Sequence, residues 1–592
     1  MPFGASVLAD GRVRFRLWAP AAERVEVAIE GGTGSLAMQT LPEGWHELTT
    51  HAACAGSLYR FVLPDGTAVP DPASRFQPHD VHGPSAVVDP RQYAWRNPDW
   101  AGRPWEQAVV YELHVGTFSG EGTFRAIVPK LQHLVALGVT AIELMPIGDF
   151  PGSRNWGYDG VLPYAPDSAY GTPEDLKALI DAAHDLGVMV ILDVVYNHFG
   201  PDGNYLSLYS PQFFTERHQT PWGAAVNFDD ASSSVVREFV IHNALYWLEE
   251  YRFDGLRLDA VHAIVDESPT HLLEELSTRA RALAGDRKIH LVLENEHNVA
   301  SLLERNPDGS PRFYTAQWND DVHHVLHTAA TGERTGYYSE YTGDSVKLGR
   351  ALAEGFAFQG ETMQCSGRAR GEASGHLPPT AFVAFIQNHD QVGNRARGER
   401  LGMIAPAEAV RAAAAVYLLL PQIPMLFMGE EWNASQPFPF FCDFPGELGK
   451  AVSAGRRQEF AAFQDAENRP GIPDPQASET FESARLDWAA LAAPPHAQWL
   501  QWYTRILRVR AGEIVPRLRE IASGGRFEVL GPGVVSVTWG LMDGSLNLTA
   551  NLSSRPAENV PAGVGRELWL EGALREDGAL LPWTVRWFID PP

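Results

Sequence analysis

Apolar and polar residues alternate with a period of two along the first hundred positions. The stretches VRFRLWAP (residues 13–20), RVEVAIE (24–30) and LYRFVLPDGTAV (58–69) follow this pattern, and Asp65-Gly66 marks a hairpin in the last of them. A period of two places alternate side chains on opposite faces, which predicts strands with one buried face. No long helical pattern interrupts them. The region predicts a small N-terminal β-sandwich, closed by a Pro-rich linker, DPASRFQPHDVHGPSAVVDP.

From about Trp105 the texture changes. Near-continuous apolar runs alternate with stretches of helical periodicity. The runs are VVYELHV, VTAIELMPI, VMVILDVV, FDGLRLD, IHLVLEN, RFYTAQW, TAFVAFIQN and IPMLFMG. Between the first two lies the helical pattern FRAIVPKLQHLVALG. Before the third lies EDLKALIDAAHDLG, with Thr172 as its cap, Pro173 in its first turn and Asp175 completing a capping box. Strands that are apolar throughout are buried on both faces, as in a parallel sheet covered by helices. Eight repeats predict an α/β fold built on a closed (β/α)8 TIM barrel.

The segment from Trp432 to about Pro495 is a long, aromatic loop after the eighth run, and loops of that length inside a domain are usually functional. After a last helix, AQWLQWYTRILRVRAGEIV, the pattern returns to β, with Asp543-Gly544 between two strands. The expected division is 1–100 for the sandwich and linker, 101–518 for the barrel with its long loops, and 519–592 for a C-terminal β domain.

Composition narrows the class of partner. The 592 residues are 45% hydrophobic and 20% charged, as in ordinary globular proteins, and the net charge is −26. Phosphate binding needs clustered cations, so nucleic acid and anionic membrane are not expected as partners, whereas a neutral sugar is compatible. Three scattered cysteines (Cys54, Cys365, Cys442) lack metal-ligand spacing and predict no disulfide framework. The start, MPFGASVLADGRVRF, has no basic-then-apolar signal pattern, and the longest apolar run, Val416 to Met428, is too short to span a bilayer. A cytoplasmic protein is expected.

Candidate chemistry sits at strand ends. In a parallel barrel, side chains at the C-terminal ends of strands face one shared pocket. Asp193, Asp259, Glu294 and Asp390 all lie at or just past such ends. One such acid is more simply a helix cap; four favour a site. Two carboxyl groups suffice to break a glycosidic bond, one as nucleophile and one as proton donor. Arg257 precedes Asp259 by two and so faces the same side, where a cation favours the ionised carboxylate a nucleophile needs. Asp193 and Asp390 are further candidate partners of Arg257. Glu294 has the opposite need, a raised pKa, and Glu296 is a rival for that role. His198 and His389 stand beside these acids as candidate donors to sugar hydroxyls. Trp156 and Tyr158, in a glycine-bearing loop after the second run, are candidates to stack on a sugar face.

DVVYNHFG, GLRLDAVHAI, LVLENEHN and FIQNHDQVGN, in this order, resemble the four signature regions of the α-amylase family of glycoside hydrolases. The resemblance spans the barrel. It implies Asp259 as nucleophile, Glu294 as acid/base and Asp390 as transition-state stabiliser. It further implies Tyr158, Asp193, His198, Arg257 and His389 around the sugar that is cleaved. RNWGYDGVLPYAPDSAYG, QNHDQVGNRARGERL and LFMGEEW are similar to members of the family that release free trehalose. That similarity implies a maltooligosaccharide-type substrate capped with trehalose, cut by retention at the adjacent α-1,4 bond. Where common α-amylases carry a Lys-His pair after the nucleophile, His262 and Ala263 stand here. No calcium-loop signature is present, so neither metal nor cofactor is expected. Alternatives from the same residues are a branching or debranching enzyme and a catalytically silent carbohydrate-binding protein. Trehalose selectivity is expected from loop aromatics: Phe438, Phe440 and Phe441, or Trp222.

Overall fold

The computed structural model describes residues 2–220, 223–461 and 471–590; Trp222 lies outside the described residues. The N-terminal alternation becomes two facing antiparallel sheets, one of four strands and one of five. In strand Val13–Trp18, Val13, Phe15 and Leu17 are buried while Arg14 and Arg16 point outward. From the other sheet Val27, Tyr59 and Phe61 close the core, and the Phe15 and Tyr59 rings meet at 4.7 Å. The hairpin at Asp65-Gly66 is present, with Gly66 at φ 89° between paired strands Leu58–Val62 and Ala68–Val69.

The eight apolar runs form one closed parallel barrel. Its strands in order are Val110–Leu113, Ala141–Leu144, Met189–Val194, Gly255–Leu258, His290–Leu293, Ala316–Trp318, Phe382–Ala384 and Ile423–Phe427. Every residue in them is buried, because the inner face packs on itself and the outer face is covered by helices. The first strand closes on the eighth through Val110 opposite Met425. Register decides what meets at the top: Glu112 lies opposite Glu143, and Asp193 opposite Arg257.

Helix Pro173–Asp185 begins as its sequence predicts. The Thr172 hydroxyl accepts the Asp175 N–H, and the Asp175 carboxylate accepts the Thr172 N–H at 3.0 Å. The preceding helical pattern, by contrast, is broken. It runs Phe124–Ile127, then a tighter turn Val128–Lys130, then Leu131–Leu137, because Pro129 has no N–H to give and its ring crowds the preceding turn. Beyond the barrel, five antiparallel strands make the C-terminal sheet. Leu541 faces Gly544 across a two-residue turn, and the Trp587 indole donates to Ala415 O at 2.9 Å on barrel helix Ala407–Tyr417. Among the described residues no helix is long and apolar enough to cross a membrane, and the three cysteines are unpaired.

Candidate active site

Arg257 organises the top of the barrel. It is fully buried on the fourth strand, with its guanidinium 4.0 Å from the centre of the Trp318 ring. Its Nη1 donates to Asp193 Oδ2 at 2.6 Å and to Asp259 Oδ1 at 2.9 Å, while Nη2 donates to Glu294 Oε2 at 2.7 Å. Acids from three neighbouring strands are thus gathered on one planar fork. Asp390, the fourth acid, is not on it.

Asp259 follows the fourth strand directly. Its second oxygen accepts from Asn197 Nδ2 at 2.9 Å, and the same amide also donates to Asp259 O. The next residue, Ala260, takes a left-handed backbone conformation at φ 38°. That turn sends the Ala260 N–H onto Glu294 Oε2 at 2.8 Å. Burial, reinforced by the charge of Asp259, holds the Glu294 carboxyl above its ordinary range against the opposing pull of Arg257 and the Ala260 N–H. A carboxyl so placed keeps its proton longer than an exposed one. Glu296, its rival in the sequence, lies off the Arg257 fork; its side chain is 69% exposed and faces His262.

Asp390 sits on a short helix, His389–Gly393, capped by the Asn388 side chain. Its carboxylate is 35% exposed, 3.5 Å from His389 Nε2, and accepts from Asn394 at 3.2 Å. His389 is buried, with Nδ1 on Glu112 Oε1 at 2.5 Å. Burial opposes a charge on this ring, but Asp390 and Glu112 outweigh it and push the imidazole up to about 9. His389 therefore stands beside Asp390 as a held cation. Tyr158 stacks on it at 5.0 Å and donates its hydroxyl to Asp193 at 2.6 Å.

These groups border a cleft of about 690 Å³. Of the residues read from the sequence, Asp259, Glu294, Glu296, Asp390, Trp156, Tyr158, His198, His262 and His389 line it. Asp193 and Arg257 lie beneath, both buried, with Arg257 holding the carboxyls of Asp259 and Glu294 above it. His198 reaches Tyr158 O at 2.9 Å, tying the third-strand loop to the second. Among the described loop aromatics only Phe440 borders the cleft. Phe438 and Phe441 are fully buried, Phe438 stacked on Trp156 at 5.4 Å, so they pack rather than face a ligand.

The residues overlooked in the sequence are Glu112, Asn197, Trp318, Asp320 and Arg370. Glu112 is inside the first apolar run, and Asp320 follows the sixth, so the strand-end criterion applied to every run would have found both. Asn197 is within DVVYNHFG. Arg370 comes from a loop with no pattern; it bonds Asp321 at 3.0 Å and borders the cleft beside Asp320, whose carboxyl burial and nearby Glu294 push up to about 7. One group of metal-ligating residues exists among those described, His218, Asp229 and Glu267, with ligand atoms within 4.8 Å. It lies outside the cleft, and its acids already serve His218 and Arg217.

Residues 90–216 match the alpha-amylase catalytic domain family, residues 2–72 carbohydrate-binding module 48 (isoamylase N-terminal domain), and residues 522–587 a domain of unknown function, DUF3459. The chain is 42% identical over 588 residues, 97% of its length and 94% of the relative's, to a malto-oligosyltrehalose trehalohydrolase of Deinococcus radiodurans. It is 42% identical to the protein of that name in Saccharolobus solfataricus, covering 86% of this chain and 87% of the relative. A crystal structure of a putative alpha amylase from Salmonella typhimurium superposes with TM-score 0.95 at 46% identity, covering 99% of both chains. A pullulanase from Paenibacillus barengoltzii, at 21% identity and TM-score 0.71, shares the fold.

Proposed function

We propose, for a chain that belongs to the malto-oligosyltrehalose trehalohydrolase family, hydrolysis of the α-1,4-glucosidic bond next to the terminal trehalose of a maltooligosyltrehalose. The observation that carries the chemistry is the shared fork: Arg257 holds Asp259 and Glu294 together on adjacent nitrogens. Retaining glycosidases need their two carboxyls only about 5–5.5 Å apart, and one guanidinium spanning both suits that close spacing.

In this reading Asp259 attacks the anomeric carbon, its oxygens oriented by Arg257 and Asn197. Glu294, held above the ordinary carboxyl range by burial, protonates the departing trehalose oxygen. The carbon–oxygen bond breaks as a glycosyl ester on Asp259 forms. Glu294, now a carboxylate, takes a proton from water, whose oxygen displaces Asp259 from the anomeric carbon and releases the shortened chain. Asp390, partly exposed beside the charged His389, receives the hydroxyls of the sugar being cleaved and the positive charge developing on its ring. Trp156, Tyr158, His198 and His262 complete the wall around that sugar. Arg257 and Asp193 act from below. The division at 1–100, 101–518 and 519–592 assigns catalysis to the middle unit. Two exposed free thiols, Cys54 and Cys365, suit a reducing cytoplasm.

The test is a paired incubation. Maltooligosyltrehalose is expected to give free trehalose, and plain maltooligosaccharide of equal length to be cut far more slowly. Equal cleavage of both, or α-1,6 products, would overturn the assignment of substrate.

A further inference from the structure

A second cavity, of about 1090 Å³, opens at the opposite end of the barrel. Its wall includes His290, which begins the fifth strand, Thr315, just before the sixth, and Thr380, just before the seventh. Glu294 and Asp390 lie beyond the other ends of the fifth and seventh of these strands. Segment 518–522, leading into the C-terminal sheet, closes one side.

The lining is strongly basic in a chain of net charge −26. Arg281, Arg287, Lys288, Arg305 and Arg312 all contribute to it, and among the described residues no carboxylate pairs with any of them. Of the acids nearby, Glu106 is paired with Arg519, while Glu304 beside His376 and Asp308 beside Ser310 offset the cations only in part. Arg281 and Arg305 instead grip backbone carbonyls, Phe313 O at 2.7 Å and Thr315 O at 2.7 Å respectively. Carbonyls fix the forks in place without neutralising them. Burial and the repulsion of Arg281 bring Arg305 down to about 10, a cost that a bound anion would relieve. Lys288 and Arg312 are exposed at the rim. The lining also includes Trp105, Leu377, Leu518 and Ile521, which give it an apolar wall.

We propose that this cavity is a binding site for a phosphate-bearing small organic molecule, its phosphate held by Lys288 and Arg312 in the field of the fixed Arg281 and Arg305 cations, its body against the Trp105 wall. The Lys288 ammonium and the Arg312 guanidinium suit phosphate, and the volume lies just above the roughly 300–1,000 Å³ usual for small-molecule sites. A dianion answers a surplus of fixed cations better than a carboxylate does. The site is remote from the hydrolytic cleft and independent of the reading given for it.

The test is calorimetric titration of the whole protein with a hexose monophosphate and with inorganic phosphate, at constant ionic strength in chloride. Saturable binding is expected for the sugar phosphate, weakened at least tenfold in the double variant K288E/R312E, while its unliganded melting temperature and its hydrolytic rate stay at the parent values. The milder K288A/R312A guards against misfolding and is expected to weaken binding in the same direction. Tighter binding of the hexose ester than of inorganic phosphate would assign the apolar wall to the ligand body. Absence of saturation up to about 10 mM of either probe, or affinity untouched by both double variants, would overturn the proposal.

Discussion

Glu112 and His389 are joined twice: one carboxylate oxygen meets Nδ1 at 2.5 Å, and the other accepts the His389 backbone N–H at 3.0 Å. The pair links the first strand to the helix that carries Asp390, and it makes a buried imidazole a cation.

That charge has a pH signature. His389 titrates near 9 in the folded chain and near 6.5 when unfolded. Glu112 and Asp390 raise it, while Arg257 and burial oppose them. A raised folded value contributes stability that is complete below the unfolded value and is lost as pH rises through about 9. Urea unfolding between pH 6 and 10 is expected to show a loss on the order of 1–3 kcal/mol from this group. Glu112→Gln should be less stable at pH 6 and lose most of this slope; an unchanged slope would remove the charged His389 from the account.

Asp259→Asn is expected to abolish turnover while the barrel survives. The amide oxygen can turn to Arg257, but its nitrogen then faces Asn197 Nδ2, donor against donor. A stability loss of about 1–3 kcal/mol is therefore expected by melting, not unfolding. Glu294→Gln removes the proton donor and should lower kcat by roughly 10²–10⁴ on substrates with sugar leaving groups. Normal turnover in either variant would sink the assignment.

How much of this was legible without coordinates follows the physics. The eight strands were, because burial on both faces leaves an unbroken apolar run. Asp259, Glu294 and Asp390 were, because they end such runs. The Arg257–Asp259 pairing was also legible, because two residues along a strand return to one side. That Arg257 and Asp193 lie beneath the cleft was not, since depth depends on barrel closure rather than spacing. Nor was the burial of Phe438 and Phe441: an aromatic cluster reads the same whether it packs a core or faces a sugar. Arg370 reaches the cleft on a loop of no periodicity, and only three-dimensional folding puts it there.

Ala260 at φ 38° points a strained backbone N–H at the acid/base candidate. A β-branched side chain tolerates that conformation poorly. Ala260→Val is expected to cost about 1–3 kcal/mol and, by displacing the N–H, to raise Glu294 further. The basic limb of the kcat/KM profile should then move to higher pH, a shift that simple destabilisation would not give. Ala260→Gly should keep the profile and the stability of the parent.

Metal removal is expected to change neither melting temperature nor kcat. At the one candidate cluster among the described residues, Asp229 already takes His218 Nε2 at 2.9 Å and the Glu267 N–H at 2.9 Å, with the Arg217 guanidinium at 3.7 Å. A resident cation would have to displace a cation. Dialysis against EDTA with assay before and after decides it; activity lost to EDTA and restored by calcium would contradict this.

Gly393 closes the helix that carries Asp390, and a Cβ there would lie 2.0 Å from Trp156 Cη2 and 2.1 Å from Cζ2. The indole is packed on three sides, with the cleft beside it. Phe438 is stacked on it at 5.4 Å and 15°, His389 meets it nearly edge-on at 5.5 Å, and Phe440 closes a further side at 5.2 Å. Gly393→Ala is therefore expected to shift the helix, and Asp390 with it, or to push the indole into the cleft. Overpacking of this kind costs about 1–3 kcal/mol, and a displacement approaching 1 Å at a reacting group costs up to about 10²-fold in rate. Trp156→Phe lacks the two clashing ring atoms. The double variant Gly393→Ala/Trp156→Phe is therefore expected to recover kcat above that of Gly393→Ala alone. If the second substitution leaves the melting temperature as low as in Gly393→Ala alone, the steric account of Gly393 fails.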